Sequence, residues 1–266
     1  MIKAILFDLD GTLIKDQEVT DYAFNKVIAI LSNYRKINKD NFKETVKSVA
    51  KSIWNTSPHH LIDPDIDHDE IEGLWAKYSM GEGLTIETLN GWSNEYRVKT
   101  WTEVLNSLEI YEQDLVIRCM DQFIKARQSY ELYSDSKPIL KELSKSFKLG
   151  LITNGVSTLQ RQKVIGSNIG HFFDEIVVSG EVNSHKPDTK IFHHLCKRLK
   201  VEPEECVMIG DNPIKDIKAA KTINMSTILI NRNVKGNTII ESSEDADFIC
   251  SGLNEIKVWL NDTVSI

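Results

Sequence analysis

The chain has 266 residues, 41% of them hydrophobic, and its 32 basic and 39 acidic residues give a net charge of -7. That length suits one large core or a core with a satellite domain. The acidic balance, with no Lys/Arg cluster, argues against nucleic acid as a partner, and no apolar run approaches the length that spans a bilayer.

The N-terminal stretch has no basic segment leading into a separate apolar one, so no secretory signal is expected. Cys119, Cys196, Cys206 and Cys250 are far apart and form no CxxC pair. Reduced thiols in a cytoplasmic protein are the expectation.

Residues 2–7 (IKAILF) predict a short buried strand that turns at Gly11. From 18 to 133 the pattern is helical. Ala23, Val27, Ile30 and Tyr34 keep helical spacing, as do Phe42, Val46, Val49 and Ile53. Val104, Leu105 and Leu108 form a third set, with Ser93 as its expected N-cap. Leu115, Cys119 or Met120, and Phe123 form a fourth. No strand is expected in this stretch.

Beyond Pro138 strands and helices alternate. A helix (PILKELSKSF) leads to the strand KLGLITN, then a helix, then the strand DEIVVSGE. Pro187 is expected to start another helix. CVMIGDN and STILINR are further strands, and DFICS is a short apolar run near the end. This alternation predicts a mostly parallel sheet covered by helices on both faces. The fold class is therefore α/β: a Rossmann-like core of residues 1–17 and 134–266, with a helical cap, 18–133, inserted after the first strand.

In such a sheet the C-terminal strand ends share one edge, where ligands bind. Asp8 ends the first strand, with Asp10 two residues on. Thr153, Asn154 and Gly155 end the second. Gly210 and Asp211 end the strand CVMIG, Asp216 follows, and Lys186 lies in the loop after DEIVVSGE. Singly, an aspartate at a strand end is often a turn former or helix cap. Asp8 and Asp10 together are different, because two carboxylates so close repel each other unless a cation or a shared proton offsets them. Asp211 adds a third negative charge, and one lysine does not balance it. Hard carboxylate oxygens without His or Cys suit Mg²⁺.

These residues resemble the motifs of the haloacid dehalogenase-like hydrolase superfamily, in the branch with a helical cap between the first and second motifs. The first motif stands as Asp8-Leu9-Asp10-Gly11-Thr12, the second as Thr153-Asn154-Gly155, the third as Lys186 in HKPD, and the fourth as GDNPIKD, from Gly210-Asp211 to Asp216. The resemblance implies a phosphatase acting on a small phosphate ester of the sugar-phosphate or nucleotide class. Asp8 would be the nucleophile, giving an aspartyl-phosphate, and Asp10 the acid-base group. Mg²⁺ would be held by Asp8, the Asp10 backbone carbonyl and Asp211, with Asp216 behind them. Thr12, Thr153, Asn154 and Lys186 would bind the phosphate or fix the turn that receives it.

Some relatives carry a second aspartate where this chain has Asn212, which moves weight to Asp216. A dehalogenase would lack an acid-base residue at position 10. A hexose-phosphate mutase would usually carry Val at position 12. A catalytically silent binding protein is the alternative from another class. The TNG segment is similar to the branch containing nucleotide 5′-phosphatases and acylneuraminate 9-phosphatases.

In the cap, HHLIDPDIDHDE alternates Asp63, Asp65 and Asp67 like a calcium loop, but the Gly and Glu positions of that loop hold His68 and Leu74. An exposed acidic loop is expected. His193 and His194 are expected at a surface or core edge. Trp75, Lys77, Arg97 and Arg127 are the candidates for contacting the leaving group.

Overall fold

The computed structural model describes residues 1–58, 69–78, 84–232 and 243–263. In chain order they form β1 (Ala4–Phe7), α1 (Asp16–Leu31), α2 (Lys39–Trp54), α3 (Glu70–Gly73), α4 (Leu84–Ser107), α5 (Gln113–Arg127) and α6 (Ser136–Leu143). There follow β2 (Lys148–Thr153), α7 (Ser157–Ser167), β3 (Glu175–Val178), α8 (Ser179–Val182), α9 (Thr189–Leu199) and β4 (Cys206–Gly210). A π-helical turn (Pro213–Lys218), α10 (Ala219–Lys221), β5 (Ser226–Ile230), β6 (Phe248–Cys250) and α11 (Ile256–Thr263) complete them. They divide into two compact units, residues 1–17 with 130–266, and residues 18–129.

The first unit carries one six-stranded sheet in the order β3-β2-β1-β4-β5-β6, with every adjacent pair parallel. β1 explains why both faces must be covered. Successive side chains of a strand point to opposite faces. Ile5 and Phe7 pack with Leu149, Leu151, Val207 and Ile209 in one apolar cluster. Ala4 and Leu6 pack with Ile191, Phe192, Leu195 and Met208 in another. All four β1 side chains are fully buried, as in α/β folds with helices on both faces. The sheet is the α/β, Rossmann-like one expected from the sequence. Residues 130–133 go with this unit: Ile14 pairs with Leu132, and the Lys15 and Tyr133 amides donate to Glu131 O and Leu13 O.

The second unit contains only helices among its described residues. Its core is aromatic. Phe24 lies 6.4 Å from Phe42 and 5.1 Å from Phe123, and Trp101 lies 5.5 Å from Phe123. Two sequence expectations are corrected here. Ala23 and Val27 are buried in α1 as expected, but the seam continues through Phe24, Ile28 and Leu31, not Ile30 and Tyr34. Phe24 brings an aromatic ring to that seam, and α1 ends at Leu31, before Tyr34. Ser93 is interior to α4, its hydroxyl donating back to Asn90 O, a local bond that a helix interior tolerates. The acidic stretch 59–68 lies outside the described residues; Asp69, just beyond it, caps α3 by accepting from the Glu72 amide at 2.7 Å. No described helix is long and apolar enough to cross a membrane.

Candidate active site

The strand order reverses direction between β1 and β4, since the chain builds outward from β1 to β3 on one side and from β4 to β6 on the other. The crevice beyond the strand ends at such a point is where ligands sit in open α/β sheets. Asp8 stands there. Its backbone amide donates to Ile209 O at 2.9 Å, continuing the β1–β4 ladder by one residue, and its side chain is almost fully buried. Asp211 follows the end of β4, and Thr153 ends β2 on the other flank.

Two glycines make room for this crowding. Gly11 has φ +75°, which L side chains rarely adopt, and a Cβ there would come within 2.8 Å of Asp211 Cγ. A Cβ on Gly210 would come within 2.5 Å of Asp216 Cγ. The glycines flanking the aspartates are therefore the gap into which the carboxylates pack.

Lys186, 3% exposed, is the hub. Its ammonium donates to Asp8 Oδ1 and to Asp216 Oδ1, each at 2.6 Å. Asn154 holds its backbone from both sides: Asn154 Nδ2 donates to Lys186 O, and Asn154 Oδ1 accepts from Lys186 N, each at 2.9 Å. The Lys186–Pro187 peptide is cis. Pro187 does not start the next helix; Asp188 caps α9, which begins at Thr189.

Asp216 is the most enclosed of the carboxylates. Its Oδ2 accepts from the Asn212 amide at 3.0 Å, so both of its oxygens are engaged. Asn212 itself accepts from the Ile214 and Lys215 amides. The residue standing where some relatives carry aspartate is here the N-cap of the π-helical turn.

Burial raises the Asp8 carboxyl to about 6; Lys186 opposes the rise and Asp216 adds to it. Burial, then the charges of Asp8 and Asp216, raise Asp211 to about 8. Burial works against the Lys186 ammonium, but Asp216 and Asp8 outweigh it and push its pKa above the ordinary lysine value. Asp8, Asp211 and Asp216 each offer an oxygen, all within 4.8 Å of one another. With one ammonium among three carboxylates, two of which resist ionisation, the donor set fits a hard divalent cation.

Asp10 turns to a different partner. Its Oδ2 accepts from Lys163 Nζ at 2.8 Å and from Gln160 Nε2 at 3.1 Å, both on α7. Neither residue was expected from the sequence. The available signal was a lysine and a glutamine three apart, on the face of α7 that also carries buried Leu159 and Val164.

Thr12 is fully buried, and its carbonyl accepts from Arg232 Nη2 at 2.7 Å. That bond braces the Asp8–Thr12 turn. Thr153 is 1% exposed at the β2 end. His193 and His194 are exposed on α9, as expected. In the helical unit, Arg97 donates to Gly73 O and Ala76 O, and the Arg127 guanidinium stacks on buried Trp75. These three side chains brace their own unit, and the contacts give no support to a leaving-group role.

A family model described as haloacid dehalogenase-like hydrolase matches residues 2–224. The chain is 32% identical to the phosphoserine phosphatase of Thermus thermophilus, over 88% of this chain and 90% of that protein. It is 44% identical to the glyceraldehyde 3-phosphate phosphatase of Methanopyrus kandleri, over 87% and 85%. Among solved structures, YfnB from Bacillus subtilis, described as a HAD-hydrolase and solved bound to magnesium, superposes with a TM-score of 0.62 at 19% identity, over 98% of this chain and 99% of that one.

Proposed function

The chain belongs to the haloacid dehalogenase-like hydrolase family, and from that premise we propose that it hydrolyses phosphate monoesters of small metabolites, with Asp8 as nucleophile and Mg²⁺ as cofactor. The observation that carries this reading is the buried cluster of Asp8, Asp211 and Asp216 around Lys186 at the strand-order reversal. Relatives of similar length named for phosphoserine and glyceraldehyde 3-phosphate support small phosphorylated metabolites as the substrate class.

Asp8 Oδ attacks phosphorus, a P–O bond forms, and the bond to the leaving oxygen breaks. Lys186 holds the Asp8 carboxylate by a 2.6 Å bond and adds positive charge beside an anionic substrate. Asp10 supplies a proton to the leaving oxygen, then takes one from the water that opens the aspartyl-phosphate. Two half-reactions on one site need nucleophile and acid-base group fixed relative to each other, and the rigid turn Asp8–Thr12 does this. Thr153 and the Asn154 amide, at the β2 end, receive phosphate oxygens.

Asp8, Asp211 and the Asp10 carbonyl would hold Mg²⁺, whose positive charge lowers the repulsion between the carboxylate and the phosphate. Asp216, with both oxygens engaged by Lys186 and Asn212, orients the site from behind.

The test is phosphate release from p-nitrophenyl phosphate and from a panel including phosphoserine, glyceraldehyde 3-phosphate, sugar phosphates and nucleotides, with Mg²⁺ and with excess chelator. The expected result is turnover with Mg²⁺ only, highest on small metabolites. No release from any ester overturns the phosphatase reading, and equal rates with chelator overturn the metal.

A further inference from the structure

The Asp10 carboxylate is gripped by a helix that contributes nothing else to the proposed chemistry. Lys163 is 1% exposed, and its ammonium lies 2.8 Å from Asp10 Oδ2 and 3.6 Å from Asp16 Oδ1. Gln160, equally buried, gives an Nε2–H to the same Oδ2 at 3.1 Å and another to Asn154 O. The two residues are three apart on α7, so they present to one side. Burying an ammonium is unfavourable unless it is paired, and a methionine would fill the same volume without that cost. The shortest contact of the lysine is instead with a carboxylate oxygen that a glutamine also binds.

Two donors on one oxygen fix more than a distance. They fix the plane of the carboxylate, since rotation about Cβ–Cγ would break both bonds. The Gln160 amide also ties this carboxylate to the Asn154 main chain, whose side chain holds the Lys186 backbone, whose ammonium holds Asp8. A continuous set of hydrogen bonds thus runs from Asp10 to Asp8 by way of α7.

We propose that Lys163 and Gln160 are positioning residues that hold the Asp10 carboxylate in the orientation for proton transfer with the leaving oxygen. The proposal rests on the phosphatase reading above and adds to it two residues outside the four motifs. Proton transfer by a side chain is steeply sensitive to geometry, so loosening Asp10 should slow the chemical step without weakening substrate binding. The effect should be large for an alkyl phosphate, whose leaving group must be protonated. It should be small for the phosphorylation step with p-nitrophenyl phosphate, whose leaving group needs no proton.

The experiment compares Lys163→Met, Gln160→Leu, Asp10→Asn and the two doubles with Asp10→Asn. Steady-state kinetics use the alkyl phosphate that the wild type turns over fastest, and the p-nitrophenol burst reads the phosphorylation step. For Lys163→Met the expectation is a kcat lower by about 10- to 100-fold on the alkyl phosphate, with KM within about threefold and a far smaller change in the burst rate. Each double should match Asp10→Asn alone within about twofold, because residues acting through one group do not add. Gln160→Leu should show the same pattern more weakly, and it carries the test alone if circular dichroism shows Lys163→Met unfolded. Equal losses in the alkyl phosphate kcat and in the p-nitrophenol burst rate, or losses that multiply with Asp10→Asn, overturn the proposal while leaving the phosphatase reading intact. An inactive wild type overturns the phosphatase reading first, and this one with it.

Discussion

Asp8 and Asp10 leave the same strand two residues apart, and each is held by its own buried lysine, yet the two lysines stand in different company. Lys186 serves Asp8 and Asp216 at 2.6 Å each, with Asp211 close by. Lys163 serves Asp10 at 2.8 Å and Asp16 at 3.6 Å, and Gln160 shares the load. Around Lys186 the negative charge is in surplus: burial and mutual repulsion raise Asp8 to about 6 and Asp211 to about 8. Around Lys163 a neutral amide takes the place of a third carboxylate. A surplus of buried negative charge calls for a cation; a single carboxylate fixed by two donors suits proton transfer. On the proposed reading, the strand end separates electrostatic work from acid-base work over two residues.

The most damaging way to probe this contrast is Asp8→Asn. It removes the proposed nucleophile, and turnover of p-nitrophenyl phosphate with Mg²⁺ should fall by about 10⁴-fold or more. The same substitution removes one charge from the crowded side, so the metal-free variant should melt above the metal-free wild type in a calorimetric scan. A lower Tm would mean that Lys186 already balances its cluster.

Asp10→Asn probes the other side. Its alkyl phosphate turnover should drop by about 10²- to 10⁴-fold. With p-nitrophenyl phosphate, rapid quench should find the phosphoenzyme accumulating, because opening it needs the base. Little accumulation and near-normal turnover would make Asp10 structural.

Asp211→Asn should act on the cation more than on the chemistry. The Mg²⁺ concentration for half-maximal activity should rise by about 10- to 100-fold, with much of the wild-type rate recovered at saturation. An unchanged Mg²⁺ requirement would assign the cation to other groups.

The smallest effect is on stability. Asp8 and Asp211 are raised above the value near 4 that aspartate has in an unfolded chain. Between about pH 4 and pH 8 the folded chain therefore holds more protons than the unfolded one, and the contribution of these groups to stability is lost as pH rises through that window. Metal binding needs both carboxylates ionised. Mg²⁺ should then raise Tm more at pH 8 than at pH 5.5; an equal rise at both values would place the cation elsewhere.

Much of this was legible in the sequence, for a physical reason. A parallel sheet buried on both faces writes its strands as continuous apolar runs such as AILF and CVMIG, and polar residues ending such runs stand out. Asp8, Thr153 and Asp211 stand at or just past such ends, whereas Lys186 lies in a loop well beyond β3 and is singled out by the resemblance of HKPD to a motif. What stayed hidden depended on three-dimensional company. Lys163 and Gln160 read as ordinary polar positions of a helix, and nothing local marks them as 1% exposed. Thr12 carried a motif role, but its full burial and the Arg232 bond to its carbonyl arise from a residue 220 positions away. Ser93 looked like a cap because capping residues are also tolerated inside helices. In α1 the expected Ala23 and Val27 are buried, and Phe24, packed against Phe42 and Phe123, is buried beside them with Ile28 and Leu31.

The central claim, that Asp8 carries the phosphoryl group in a metal-dependent hydrolysis, is tested most directly by trapping. Asp10→Asn protein is mixed with a phosphate ester labelled at phosphorus, with Mg²⁺ or with chelator, quenched in acid within milliseconds, and digested for peptide mapping. The account predicts acid-stable, hydroxylamine-labile label on the peptide containing Asp8, present with Mg²⁺ and absent with chelator. Turnover with label on another residue, or label of equal yield in chelator, would contradict it.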